Sequence, residues 1–145
     1  MDKYYSIPLN TASLLEKKKH PACDIRESIR MNINMIIKTH FREYRYNQSY
    51  GCLIWNQDYS TVTNISKWLE DLRSSVVDSI ESNEPRISKT EVKIDLEEAE
   101  VFERFKGQPL RLKHKLTLEI RGVISHLNEP FEHFEFLFFS PLSVA

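Results

Sequence analysis

Apolar residues recur at helical spacing over Ile25, Ile29, Ile33, Ile36 and Ile37, with Met31 and Met35 on the flank. That stripe predicts an amphipathic helix. Asp24 is placed to cap its start and Glu27 stands three residues on, as in a capping box, so the helix should run to about Thr39. A second stripe follows at Val62, Ile65, Leu69, Leu72, Val76 and Ile80, with Trp68 beside it. Ser60 or Thr61 is the expected cap. Pro85 disfavours helical geometry at the residue before it, so this helix should stop near Ser82 or Asn83.

Beyond Pro85 the period changes to two. Val92, Ile94 and Leu96 alternate with Lys93 and Asp95, whereas Ile87 has the opposite parity, which predicts a bulge or bend between them. The longest alternation is "LRLKHKLTLEIRGVI": Leu110, Leu112, Leu116, Leu118 and Ile120 face one way, and Arg111, Lys113, Lys115, Glu119 and Arg121 the other. Gly107 and Pro109 mark the turn before it, and Asn128-Glu129-Pro130 the turn after. The last strand, "FEHFEFLFFS", is apolar at both parities, as expected of a strand covered on both faces. Between the first two strands, residues 97–108 ("EEAEVFERFKGQ") read equally as a short amphipathic helix or an extended hairpin arm. The expected fold class is α+β: two N-terminal amphipathic helices followed by a three-stranded, mostly antiparallel sheet.

Two segments carry no sustained period. Residues 1–22 form a mixed arm with Ile7, Leu9, Leu14, Leu15 and the run Lys17-Lys18-Lys19, expected to be poorly ordered alone with the lysines as a solvated face. Residues 40–59 form a long connection with four tyrosines and Gly51. A chain of 145 residues is long enough for one core without metal or disulfide staples, so residues 23–145 are read as a single domain behind the arm.

Composition removes several function classes. The formal net charge is −1, with 20 basic and 21 acidic residues, so no global field steers the chain to nucleic acid or anionic membrane. Cys23 and Cys52 fit no C-x-x-C pattern and read as reduced thiols. No signal-peptide core or membrane-length apolar run appears, and a cytoplasmic location without membrane insertion is expected. No zinc spacing, phosphate loop or nucleophile motif is present, so no cofactor and no metal are expected. His20, His40, His114, His126 and His133 are scattered, and His114, on the apolar face of the long strand, reads as a satisfied core or edge histidine.

Carboxylates are the one catalytic inventory. Glu84, Asp95, Glu97 and Glu98 could serve as acid and nucleophile of a lysozyme-like hydrolase, which needs two carboxyl groups about 5 to 10 Å apart. Any chain with 21 carboxylates offers such pairs by chance. The step Glu84-Pro85-Arg86 is more unusual. A carboxylate just past a helix C-terminus faces the negative end of the dipole, at a cost of about 0.3–1 kcal/mol. Glu84 and Arg86 either neutralise each other across the proline or engage a partner.

"NEPRISKTEVKID" after an amphipathic helix resembles the E-P-R-I segment of the baseplate wedge family of contractile phage tails, to which TssE of bacterial type VI secretion systems belongs. "IRESIRMNINMIIKTHFREYRYNQSYG" resembles the family's first helix, its Thr and Arg-Glu step and a Tyr-Gly, and "LTLEIRGVI" and "EPFEHFEFLFFSPLS" its closing strands. The resemblance covers about Asp24 to Ser143. It implies a structural baseplate subunit and no enzyme. The implied partners are wedge proteins (TssF- and TssG-like) and sheath subunits (TssB- and TssC-like), the latter by strand augmentation. The implied protein-interaction residues are Glu84, Pro85, Arg86 and Ile87, offered to the partner as an exposed charge pair.

Overall fold

The computed structural model describes residues 4–55, 64–101 and 111–139. The elements in order are β1 (Tyr4–Tyr5), α1 (Thr11–Leu15), β2 (Ala22–Cys23), α2 (Ile25–Lys38), a 3-10 turn (Leu53–Trp55), α3 (Ile65–Asn83), β3 (Ile87–Val101), β4 (Arg111–Ile124) and β5 (Glu129–Phe139). The last three form one antiparallel sheet in the order β3-β4-β5, with every pairing antiparallel rather than most of them.

α2 starts where its cap chemistry requires. The Asp24 carboxylate accepts the Glu27 N–H at 2.8 Å, and the helix passes into extended geometry at Thr39. Ile29, Ile33, Ile36 and Ile37 are fully buried. α3 ends at Asn83, immediately before the residue that Pro85 forces out of helical geometry. Its cap is Asn64, whose side chain accepts the Lys67 N–H at 3.1 Å. The expected cap was Ser60 or Thr61, which lie, with Val62, outside the described residues.

The expectation of two N-terminal helices needs correction. Only α2 lies near the N-terminus among the long helices, and α3 occupies the middle of the chain. The connection between them is part of the core and not a passive loop. Cys52 and Ile54 are fully buried, and burial pushes the Cys52 thiol up to about 11. Gly51 makes this entry possible. Its φ is +128°, and a Cβ there would stand 2.7 Å from the Thr39 carbonyl oxygen and 2.8 Å from that of His40. The arm is also more structured than expected. β1 pairs with β2 through Tyr4 with Cys23 and Tyr5 with Ala22, which closes residues 4–23 into a small loop carrying α1.

The sheet follows the alternation closely. Leu116, Leu118, Ile120 and Ile124 of β4 are fully buried and meet Ile87 and Val92 of β3 and Phe131 and Leu137 of β5. The register slips between Ser88 and Glu91, with Lys89 at φ 52°, which is the bulge that the parity of Ile87 predicts. Gly122 lies opposite it, where a Cβ would come within 3.1 Å of the Ser88 carbonyl oxygen. β3 continues through Val101 in register with Arg111, so the backbone of 97–101 belongs to an extended hairpin and not a helix. Residues 102–110 lie outside the described residues.

β5 departs from expectation. Phe131 and Leu137 are buried, but Phe134, Phe136 and Phe138 remain 49%, 50% and 53% exposed. α2, α3 and the 3-10 turn feed one core on one side of the sheet. Among the described residues no helix packs on the other face at these phenylalanines, where the Lys115 ammonium lies over the Phe136 ring, so the strand is covered by helices on one side and not two.

Candidate protein-docking corner

The corner is assembled from the end of α3, the start of β3 and one shoulder of α2. Glu84 is the C-cap of α3, and its N–H donates to the Ile80 carbonyl at 2.7 Å. The chain then turns through the exposed Pro85 into β3, and Ile87 drops into the core at 5% exposure. The side chain of Glu84 is completely enclosed, whereas that of Arg86 keeps 27% of its surface in solvent.

Every lone-pair direction of the Glu84 carboxylate is in use. Arg86 Nε donates to Oε1 and Arg86 Nη2 to Oε2, both at 2.7 Å, giving the planar fork that only a guanidinium supplies. The Arg86 backbone N–H adds a bond to Oε1 at 3.2 Å, and Asn32 Nδ2 one to Oε2 at 2.8 Å. Asn32 also donates to the Asn83 carbonyl at 3.1 Å and accepts from the Tyr50 hydroxyl at 3.2 Å, tying α2, the connection and α3 to one point. The remaining guanidinium nitrogen of Arg86 donates to Ser28 Oγ at 2.8 Å, and the ring of Tyr4 lies 5.3 Å from its Cζ.

Electrostatics follow from this geometry. Burial alone would raise the Glu84 carboxyl, but the hydrogen bonds from Arg86 and Asn32, with the guanidinium charge, outweigh it and hold Glu84 below the ordinary carboxylate range. The bond to Glu84 raises Arg86 above its ordinary value. Burial, then the Glu84 charge, raises the Tyr50 hydroxyl.

The expectation of an exposed charge pair is therefore corrected. Glu84 and Ile87 are interior, and only Pro85 and one edge of Arg86 reach the surface. The carboxylate tolerates the unfavourable helix end because four donors are aimed at it. Sequence reasoning missed Ser28, Asn32, Tyr50 and Tyr4. Ser28 and Asn32 stand four apart on α2 beside the isoleucine stripe, a polar shoulder that would have flagged a buried partner.

The other carboxylates do not join the corner. Asp95 and Glu97 are exposed on the outer face of β3, and the side chain of Glu98 lies outside the described residues. Glu84 is unsuited to acid catalysis, which needs a carboxyl held protonated, because its surroundings shift it the opposite way. A second buried carboxylate was not anticipated. Glu135 of β5 accepts from Asn34 and pairs with His133 Nε2 at 2.8 Å. Burial would raise its carboxyl, and these bonds, with the charges of His133 and Lys38, lower it below the ordinary range. His114 is half-buried beside its strand partners, and its Nδ1 is buried with no hydrogen-bond partner among the described residues, so it is not a satisfied core histidine. No group of His, Cys, Asp and Glu among the described residues is arranged to hold a metal, and no helix there is long and apolar enough to cross a membrane.

These features define a mixed helix-and-strand protein in which a three-stranded antiparallel sheet is backed by helices and locked at one end by a buried ion pair. The chain belongs to the baseplate wedge protein gp25 family, whose profile matches residues 23–129, and so to a family of structural baseplate components of phage-tail-like assemblies. A crystal structure from Geobacter sulfurreducens, described as a tail lysozyme, shares the fold with a TM-score of 0.58 and 17% identity, covering 86% of this chain and 100% of that one. No curated protein matches the sequence.

Proposed function

We propose that this chain is a structural baseplate subunit of a contractile injection machine of the TssE type, acting in the cytoplasm and not as an enzyme. Residues 23–145 form its working domain and residues 1–22 an accessory arm. It docks on wedge proteins of the TssF and TssG kind through the Glu84-Pro85-Arg86-Ile87 corner. Glu84 and Ile87 fix the shape of that corner, while Pro85 and the free edge of Arg86 touch the partner. The observation that carries this reading is the saturated Glu84: its four donors make a rigid corner and leave no proton to give.

A sheath subunit of the TssB/TssC kind then adds a strand to the sheet. The two edges differ in a way that supports β5 as the template. β3 carries a bulge and the exposed outer-face charges Glu91, Lys93, Asp95 and Glu97, the devices that blunt an edge. β5 keeps unbroken register with β4 and presents Phe134, Phe136 and Phe138. The alternative, a lysozyme-like hydrolase, draws support from the description of the Geobacter structure alone.

Co-expression with wedge and sheath candidates from the same gene cluster tests the proposal. A complex that survives gel filtration is expected, with no peptidoglycan clearance by the purified chain. Clearance above a heat-inactivated control would overturn it.

A further inference from the structure

The arm contains a surface that the docking corner does not use. Residues 4–23 hold themselves together by the β1–β2 ladder, a Ser6 N–H to Pro21 carbonyl bond of 3.0 Å, and His20. The His20 ring accepts the Asn10 N–H at Nδ1 (3.3 Å) and donates from Nε2 to the Ser6 carbonyl (2.7 Å), so it staples the start of α1 to the end of β1. A segment ordered this way should bury its apolar side chains, yet it does the reverse. Tyr5 is 75% exposed, Leu9 61% and Leu15 84%, and α1 buries no residue at all.

Two of them, Tyr5 and Leu9, border a cleft of about 560 Å³. Tyr5, Leu9 and Leu14 form its apolar lining, and Lys18, Lys19 and His20 its polar side. The charge of the segment is one-sided, with three lysines against Glu16 alone between Tyr4 and Cys23. Among the described residues Lys18 is paired only with Glu16, at 2.6 Å and with both side chains well exposed, and such a pair exchanges partners at little cost. Tyr4 lines the cleft and also lies over Arg86, so the cleft abuts the docking corner. The region lies outside the residues matched to the family, 23–129, apart from its last residue.

We infer that this cleft binds an acidic, apolar peptide segment of another protein, with leucine- or phenylalanine-type side chains in the Tyr5–Leu9–Leu14 lining and Asp or Glu carboxylates on Lys18 and Lys19. Charge complementarity selects an acidic occupant, and the exposed apolar lining selects one with large side chains. The cleft volume lies within the range of about 300–1,000 Å³ typical of pre-formed binding sites. A nucleic acid is disfavoured, because the segment has no arginine and the whole chain has net charge −1.

The test is selection of a random displayed-peptide library on the full-length chain, followed by fluorescence anisotropy with the enriched peptides made synthetically. Enriched peptides should place Asp or Glu beside Leu, Phe or Trp, and their binding should weaken with added salt. The Lys18→Glu/Lys19→Glu double variant should weaken binding about tenfold or more through loss of charge-assisted contacts. Leu14→Ser should also weaken it, whereas Lys93→Glu on the outer face of β3 should leave it unchanged. Melting curves confirm that each variant folds, with Lys18→Gln/Lys19→Gln replacing any that does not. No enrichment of acidic peptides, or binding indifferent to the lysine variants, would overturn the inference. So would a salt-sensitive dimer of the chain abolished by the double variant, which assigns the cleft to a second copy, or lysine-dependent binding of phosphatidylserine vesicles with no peptide bound, which assigns it to a membrane surface. Wedge-protein assembly through Pro85 and Arg86 is scored separately, so either reading can fail alone.

Discussion

Arg86→Met removes the fork from a carboxylate that has no access to water. Two bonds of 2.7 Å are lost, while Glu84 keeps the Arg86 backbone N–H and Asn32. Breaking one partner of a buried pair costs about 3–5 kcal/mol, and the two surviving donors place this variant near 3 kcal/mol. That is a large part of the roughly 5–15 kcal/mol that holds a domain of this size together. The pH dependence carries a sign. In the native protein the Glu84 carboxyl is depressed, so its contribution is fully present above the unfolded value of about 4.3 and is lost as pH falls through the folded one. In Arg86→Met, burial dominates and raises the folded carboxyl, so the penalty is greatest near neutrality and shrinks as the folded state takes up a proton. Urea unfolding at about pH 7 and about pH 5 brackets that uptake. The double variant Glu84→Gln/Arg86→Met, which leaves no charge behind, should recover most of the loss. A single variant within about 1 kcal/mol of the native protein at both pH values would return the pair to the class of exposed ion pairs and refute the argument.

Leu116→Asp should unfold the domain, since Leu116 is fully buried and an unpaired buried charge costs several kcal/mol. Lys115→Asp, on the opposite face, should cost no more than about 1 kcal/mol, mainly the loss of the ammonium seated 4.6 Å from the Phe136 ring centroid; equal melting of the two would reverse the assignment of faces. Gly51→Ala should destabilise by at least about 1–3 kcal/mol in thermal or urea unfolding, because its positive φ and two carbonyl contacts under 3 Å leave no room for a Cβ. An unchanged melting curve would mean that the entry of Cys52 and Ile54 into the core does not depend on that turn.

Much of the fold was written locally. The isoleucine stripe and Asp24 define α2, Pro85 ends α3, the alternation along β4 defines its buried face, and the parity of Ile87 announces the bulge before Glu91. These are properties of side-chain direction along one element, and direction repeats with a period that a sequence displays. The fate of Glu84 was not local. Its neighbours in sequence leave it facing a helix dipole, and it becomes stable because Asn32 arrives from 52 residues upstream and Ser28 orients Arg86 from 58 residues upstream. The two faces of β5 tell the same story. Its phenylalanines at both parities read as a strand covered twice, but which face receives a helix depends on where α2 and α3 pack, and they pack on one side. Periodicity records that a face is apolar; only the tertiary arrangement decides what covers that face and what pairs with a buried charge, because those partners come from distant parts of the chain.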